Sequence, residues 1–225
     1  DSSIGGKTGV DTGAGKNLLG TFHQPRAVFI DMTFLETLPQ REFTSGLAEI
    51  VKYGIIEDPD LLATLEENAA ALQGRDPAIL ERVVSASCRI KKGIVEIDET
   101  EKGLRRILNF GHTVGHAVEA ESGYAVSHGE AVAMGMAAAA LLSERLRYLN
   151  AEDRDRIERA IERVGLPCRI PGDLDAGRLL ARMEKDKKKE NGRIHFVLLK
   201  KAGMPFVNGG VPLDVVRETI EAMRS

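Results

Sequence analysis

Apolar residues recur every three or four positions along most of this chain, which predicts a mainly α-helical protein. The clearest case is Ile79, Val83, Ala86 and Ile90, in a helix opened by Asp76 and Pro77 and running to about Ile97. Thr44 or Ser45 is placed to cap a helix reaching about Tyr53, and Asp58 with Pro59 opens the next, over 61–72. Further helices are predicted over 110–122, 129–146, 153–164, 174–185 and 213–223. The one over 153–164 ends at Gly165 with Pro167 beyond it, a normal stop. Elsewhere the period shortens. AVFID at 27–31 reads as a short strand, RIHFVLL at 193–199 as another, and 204–207 can pair with the latter as a small hairpin. Residues 34–39 connect, with Pro39 marking a boundary.

Residues 1–25 break this pattern. They are polar and Gly-rich, which predicts a loop that approaches a ligand closely or turns through positive φ. GGKT at 5–8 invites comparison with a phosphate-binding P-loop, but that motif needs Gly where Asp1 stands. GAGKN at 13–17 fails too, with Asn17 for Ser/Thr and Val10 for the first Gly. No strand–GxGxxG–helix unit is present either. Lys7 and Lys16 nevertheless sit on Gly-rich backbone, where they are good anion ligands.

Composition narrows the classes. The chain has 225 residues, 43% of them hydrophobic and 29% charged, with room for a proper core. A net charge of −3 exerts no general pull toward nucleic acid or membrane, and no Trp with 4% aromatics leaves few platforms for stacking bases. The longest apolar run, 131–142, is too short to span a bilayer and reads as a buried helix. Cys88 and Cys168 lie far apart and outside any CxxC motif, which fits a reduced, cytoplasmic compartment.

The candidate chemistry centres on histidine. The chain has five, and His112, His116 and His128 fall within 17 positions, each beside a glycine. Glu49 lies in GLAEIVKYG at 46–54. One carboxylate and two neutral imidazoles make a catalytic zinc site with an open position. Spacing also allows His112 and His116, at i and i+4, to ligate together as such pairs do in HExxH sites. Glu49 and Lys52, at i and i+3, would bring a carboxylate and an ammonium into one pocket. Lys52, Lys91, Arg105 and the run KDKKK at 185–189 can converge on an anionic substrate, whereas such a run alone usually marks a solvated face. Lys92, Lys102 and Arg106 read as solvated.

Six segments occur in the order DSSIGGKTGVD, GKNLLGTFHQP, FLETLP, GLAEIVKYG, DETEKGLRRILNFGHTVGHAVE and HGEAVAMGM. Together they closely resemble the 3-dehydroquinate synthases, over 1–199 at least. The resemblance implies a two-domain enzyme with an N-terminal NAD-binding α/β domain, a C-terminal helical domain, and the site in the cleft between them. Residues 1–39 would then be the last piece of the first domain and 40–225 the helical metal- and substrate-binding domain. The chain begins at Asp1, inside the first motif, so the rest of the NAD-binding domain is expected upstream.

The resemblance also implies roles. Glu49, His112 and His128 match ligands of zinc or cobalt, which sets aside the pairing of His112 with His116. His116 matches a substrate contact that moves a proton. Asp1, Lys7, Asn17, Lys52, Lys91, Arg105 and Asn109 match further substrate contacts, as does Lys187 or its neighbour Lys188. Lys7 and Lys16, with Phe34, Leu35, Glu36 and Thr37, are assigned to NAD. The substrate implied is a phosphorylated seven-carbon keto sugar acid, which explains the Lys and Arg. NAD would oxidise a carbinol, allow phosphate elimination, and take part again in the reduction before ring opening and an intramolecular aldol closure. A sibling sugar-phosphate cyclase, 2-deoxy-scyllo-inosose synthase, is the alternative. The deoxyinosose enzymes resemble Glu where His116 stands, so this residue favours the first reading. A homodimer is implied, with no nucleic-acid or membrane partner, and the chain by itself is expected to be inactive.

Overall fold

The computed structural model describes residues 1–12, 15–187 and 193–225, with side chains described outside 11–18 and 186–192. The chain opens with a short antiparallel pair, β1 (Val10–Thr12) and β2 (Gly15–Leu19). Helices follow: α1 (Gln40–Ile56), α2 (Pro59–Glu67), α3 (Ala69–Gln73), α4 (Pro77–Ile97), α5 (His112–Glu121), α6 (His128–Arg145), α7 (Ala151–Arg163) and α8 (Ala176–Lys187). A second antiparallel pair, β3 (Phe196–Leu199) and β4 (Pro205–Asn208), precedes the last helix, α9 (Leu213–Met223). The fold is mainly α, as the periodicity requires.

α6 organises the core. Its residues Ala131, Val132, Ala133, Met136, Ala137 and Ala140 are buried, so the long apolar run is a helix enclosed on all sides. α1, α5, α7, α9 and β3 pack around it. Ser143 of α6 is buried, donates to the Ala139 carbonyl at 2.6 Å, and accepts the Leu199 N–H at 3.0 Å, which fastens β3 to this helix.

Several local expectations are corrected. Residues 27–31 form no strand: Phe29 is 94% exposed, and no described strand lies beside the segment to take its backbone hydrogen bonds. The Gly-rich opening carries the β1–β2 hairpin rather than loop alone, closed below by Thr8 and Thr21, which exchange hydrogen bonds. α1 starts at Gln40, before Thr44 and Ser45, with Pro39 at its cap. The helix expected over 61–72 divides at Asn68, whose side chain and backbone N–H both donate to the Thr64 carbonyl. α5 begins at His112 rather than Phe110, because Gly111 has φ +80 and cannot continue a helix backwards.

Candidate active site

Three helices each deliver one prospective metal ligand. Glu49 sits on α1, and His112 and His128 are the first residues of α5 and α6. The left-handed Gly111 turns the chain so that the His112 Nδ1 meets the Phe110 carbonyl at 3.1 Å. At α6, the Ser127 hydroxyl accepts from the Glu130 N–H while the Glu130 carboxylate accepts from the Ser127 N–H at 2.7 Å. This capping box fixes where His128 begins the helix.

The geometry suits a small divalent cation. The Nε2 atoms of His112 and His128 each lie 3.5 Å from Glu49 Oε1. Ligands held tetrahedrally at zinc distances stand roughly 3.4 Å from one another. The donor set of one carboxylate and two imidazoles therefore fits zinc with a position left open. The Lys52 ammonium pairs with the other Glu49 oxygen, and Lys52 is only 3% exposed.

The three groups differ in the charge their surroundings favour. Burial alone would raise the Glu49 carboxyl, but Lys52 and the hydrogen bonds from His112 and His128 outweigh it and hold the group well below the usual range. Burial, then the Lys52 charge, lower His112, which favours the neutral imidazole a metal needs. His128 is raised to about 9 by its hydrogen bonds to Glu119 and then Glu49.

A cleft of about 510 Å³ opens beside the cluster, lined by Lys7, Glu101, Asn109, His112 and His116 among others. His116 is exposed, with its ring centroid 5.3 Å from that of His112. Lys7 pairs with Glu101, and the Asn109 amide donates to the same carboxylate at 2.6 Å. Lys7 overcomes the upward push of burial on Glu101 and keeps it ionised. Arg106, read from sequence as solvated, also lines this cleft.

Arg105 and Lys91 do not line this cleft. Arg105 is 2% exposed and donates to the Gly5 and Glu99 carbonyls at 2.8 and 2.6 Å. Lys91 lies 3.0 Å from the Asp1 carboxylate, which also accepts from the Tyr53 hydroxyl. Burial and then Lys52 lower the Lys91 ammonium to about 8. The side chains of Lys16, Asn17 and Lys187 lie outside the described residues, as does Lys188.

Two acidic residues escaped the sequence reading. Glu101 has φ +59, an uncommon backbone for a residue with a side chain, but that gives no signal in sequence. Glu119 gave one: it stands at i+3 from His116 and i+7 from His112, on the same face of a helix that is otherwise apolar there.

A family profile described as 3-dehydroquinate synthase C-terminal matches residues 46–189. The chain belongs to the 3-dehydroquinate synthase family. The N-terminal profile of the same family matches residues 1–45, so the two matches meet inside α1. The 3-dehydroquinate synthase of Acidithiobacillus ferrooxidans is 48% identical over 99% of this chain and 61% of its own length. That of Nostoc punctiforme is 45% identical over 99% of this chain and 62% of its own. The chain thus spans about three fifths of these relatives.

Among solved structures, 2-epi-5-epi-valiolone synthase from Streptomyces hygroscopicus subsp. jinggangensis, with NAD+ and Zn2+ bound, is similar with a TM-score of 0.90 and 27% identity. It is matched over 99% of this chain and 62% of that one. A 2-deoxy-scyllo-inosose synthase complexed with carbaglucose-6-phosphate, NAD+ and Co2+ has a TM-score of 0.87 and 26% identity, over 99% of this chain and 64% of that one.

The segment assigned from sequence to NAD, 34–37, does not line the 510 Å³ cleft. Phe34 and Leu35 end a 3-10 turn (Met32–Leu35) capped by Asp31, and Glu36 and Thr37 follow it. Leu35 borders a smaller cavity of about 180 Å³ that also touches Asp1, Glu49 and Tyr53. Arg75 holds this stretch. Its guanidinium donates to the Leu35, Glu36 and Leu38 carbonyls at 2.5, 2.9 and 2.6 Å, and stacks 4.7 Å from the Phe43 ring centroid. Arg75→Ala is expected to destabilise the chain by about 1–2 kcal/mol and to speed amide exchange over 33–38, as read by hydrogen-exchange mass spectrometry.

Proposed function

We propose that the full-length protein carrying this chain is a 3-dehydroquinate synthase, which converts 3-deoxy-D-arabino-heptulosonate 7-phosphate to 3-dehydroquinate and phosphate. The observation that carries this reading is the convergence of Glu49, His112 and His128 at zinc-like spacing on the edge of a cleft that holds Lys7, Asn109 and His116. Residues 1–39 are assigned to the end of the NAD-binding domain and 40–225 to the helical domain, joined in a cytoplasmic homodimer. The chain without the rest of its NAD-binding domain is expected to turn over nothing.

The residues account for recognition of the substrate. Lys7 and Asn109 are donors held by Glu101 at the cleft. An incoming phosphate dianion competes with that carboxylate for both, which favours a doubly charged group over a neutral hydroxyl. Lys52 keeps Glu49 ionised and its second oxygen directed to the imidazoles. His116, exposed beside His112, is assigned the role of accepting and returning a proton. Bound zinc would supply Lewis-acid polarisation of a substrate hydroxyl, and NAD would accept and return the hydride.

The sibling cyclases are the second reading, since two solved structures of that kind share the fold. Identity favours the first: 45–48% to the dehydroquinate synthases against 26–27% to those structures. The test is phosphate release by the full-length protein with NAD and zinc. Release from the seven-carbon keto acid phosphate and not from glucose 6-phosphate is expected. The reverse pattern would assign the protein to the deoxyinosose cyclases.

A further inference from the structure

We infer that Glu119 is a positioning residue for the metal centre, fixing the His128 ring with its Nε2 toward the cation. The inference rests on the assignment of Glu49, His112 and His128 as ligands.

Glu119 lies on α5 and is 6% exposed. An ionised carboxylate removed from water costs several kcal/mol unless it meets donors. One group it meets is His128: its Oε2 is 3.4 Å from the His128 Nδ1, long for a hydrogen bond and within ion-pair reach. The opposite nitrogen of the same ring, Nε2, faces Glu49 at 3.5 Å. The His128 imidazole therefore bridges two carboxylates supplied by different helices.

Imidazole chemistry gives this arrangement a direction. A neutral imidazole carries one N–H, and a metal on Nε2 requires that proton on Nδ1. An acceptor at Nδ1 selects that tautomer, fixes the ring plane and increases the electron density at Nε2. The other ligand shows the same arrangement, since the Phe110 carbonyl stands 3.1 Å from the His112 Nδ1. One acceptor is backbone and neutral. The other is a side chain and charged, and only that one can be removed by substitution.

Glu119, His116 and His128 also form a second cluster, with ligand atoms within 4.8 Å of one another. That cluster offers a rival location for the cation, in which Glu119 ligates directly. His112 belongs only to the first cluster, so it separates the two.

The experiment is zinc titration of the 225-residue chain against a chromophoric chelator, with cobalt(II) absorption as a second readout. Glu119→Gln keeps the shape and removes the charge, and should weaken zinc binding about tenfold. Glu119→Ala also removes the acceptor and should approach a hundredfold. Both should alter the cobalt ligand-field bands, and His112→Ala should abolish binding. Wild-type affinity and an unchanged cobalt spectrum in both Glu119 variants would overturn the positioning role alone. Wild-type affinity in His112→Ala would overturn the underlying ligand assignment, and with it this inference. Circular dichroism checks that the variants fold. If they do not, nitrogen-15 NMR of the unmodified zinc-loaded chain decides: a proton on His128 Nδ1 is expected, and one on Nε2 overturns the proposal.

Discussion

Glu49→Ala is expected to abolish stoichiometric zinc binding and to lower the stability of the metal-free chain by about 3 kcal/mol. The two effects have one origin. Glu49 directs one oxygen to Lys52 and the other to His112 and His128. Its removal leaves the ammonium of Lys52, 3% exposed, with the Tyr53 ring 5.1 Å away as a weak substitute. Breaking a buried pair from one side costs about 3–5 kcal/mol, and the lower end applies because the Glu49 side chain is 20% exposed. Urea unfolding and calorimetric zinc titration read the two losses separately. Adding Lys52→Met to Glu49→Ala should recover most of the stability and none of the zinc binding, because it removes the stranded charge without replacing the ligand. Recovery of neither would mean that Glu49 stabilises the core by packing rather than by its charge.

The split between what was legible in the sequence and what was not follows the range of each interaction. Helix existence was legible because it depends on local periodicity: α4 and α9 fall where Ile79, Val83 and Leu213 place them. The grouping of Glu49, His112 and His128 was legible only through the resemblance. Spacing alone left the pair His112 and His116 open, since i and i+4 residues share a face whatever α1 and α6 contribute. Helix starts depended on partners far away in the chain. Ser45 looks like a cap for its own helix, yet its hydroxyl accepts from the Gly129 N–H at 2.9 Å and so serves α6 instead. AVFID has strand composition, but a strand requires a neighbour, and no described strand pairs with it. Glu101 and Glu119 share this limit. A carboxylate becomes part of a site when the fold places Lys7 or His128 against it.

The glycines beside the histidines also have a long-range cause, and Gly129→Ala is expected to show it with a large loss of both stability and zinc affinity. A Cβ added at Gly129 would lie 2.0 Å from the Ser45 carbonyl oxygen and 2.5 Å from its Cα. Both are backbone atoms of α1, so no side chain can swing aside to make room. Relief requires the start of α6 to move off α1 by about 1 Å or more, to an ordinary van der Waals separation. His128 is the adjacent residue, and its partner Glu49 belongs to α1. The same displacement therefore opens the distance from Nε2 to Oε1 that suits zinc, where ligand distances tolerate only about 0.2 Å. Ser127, Glu130 and Arg41 resist the shift, because Arg41 ties Glu130 to α1 at 2.7 Å. Overpacking of this kind costs about 1–3 kcal/mol, more when backbone must yield. Gly93→Ala in α4 makes the contrast, because a Cβ there meets nothing within 4 Å. It should stabilise by about 0.4–1 kcal/mol through helix propensity and a less flexible unfolded chain. Opposite signs for the two substitutions, by thermal unfolding, would identify Gly129 as the point where two helices approach closely enough to place a carboxylate and an imidazole around one cation. Stabilisation by both would mean that α6 can shift without cost and that the ligand spacing is set elsewhere.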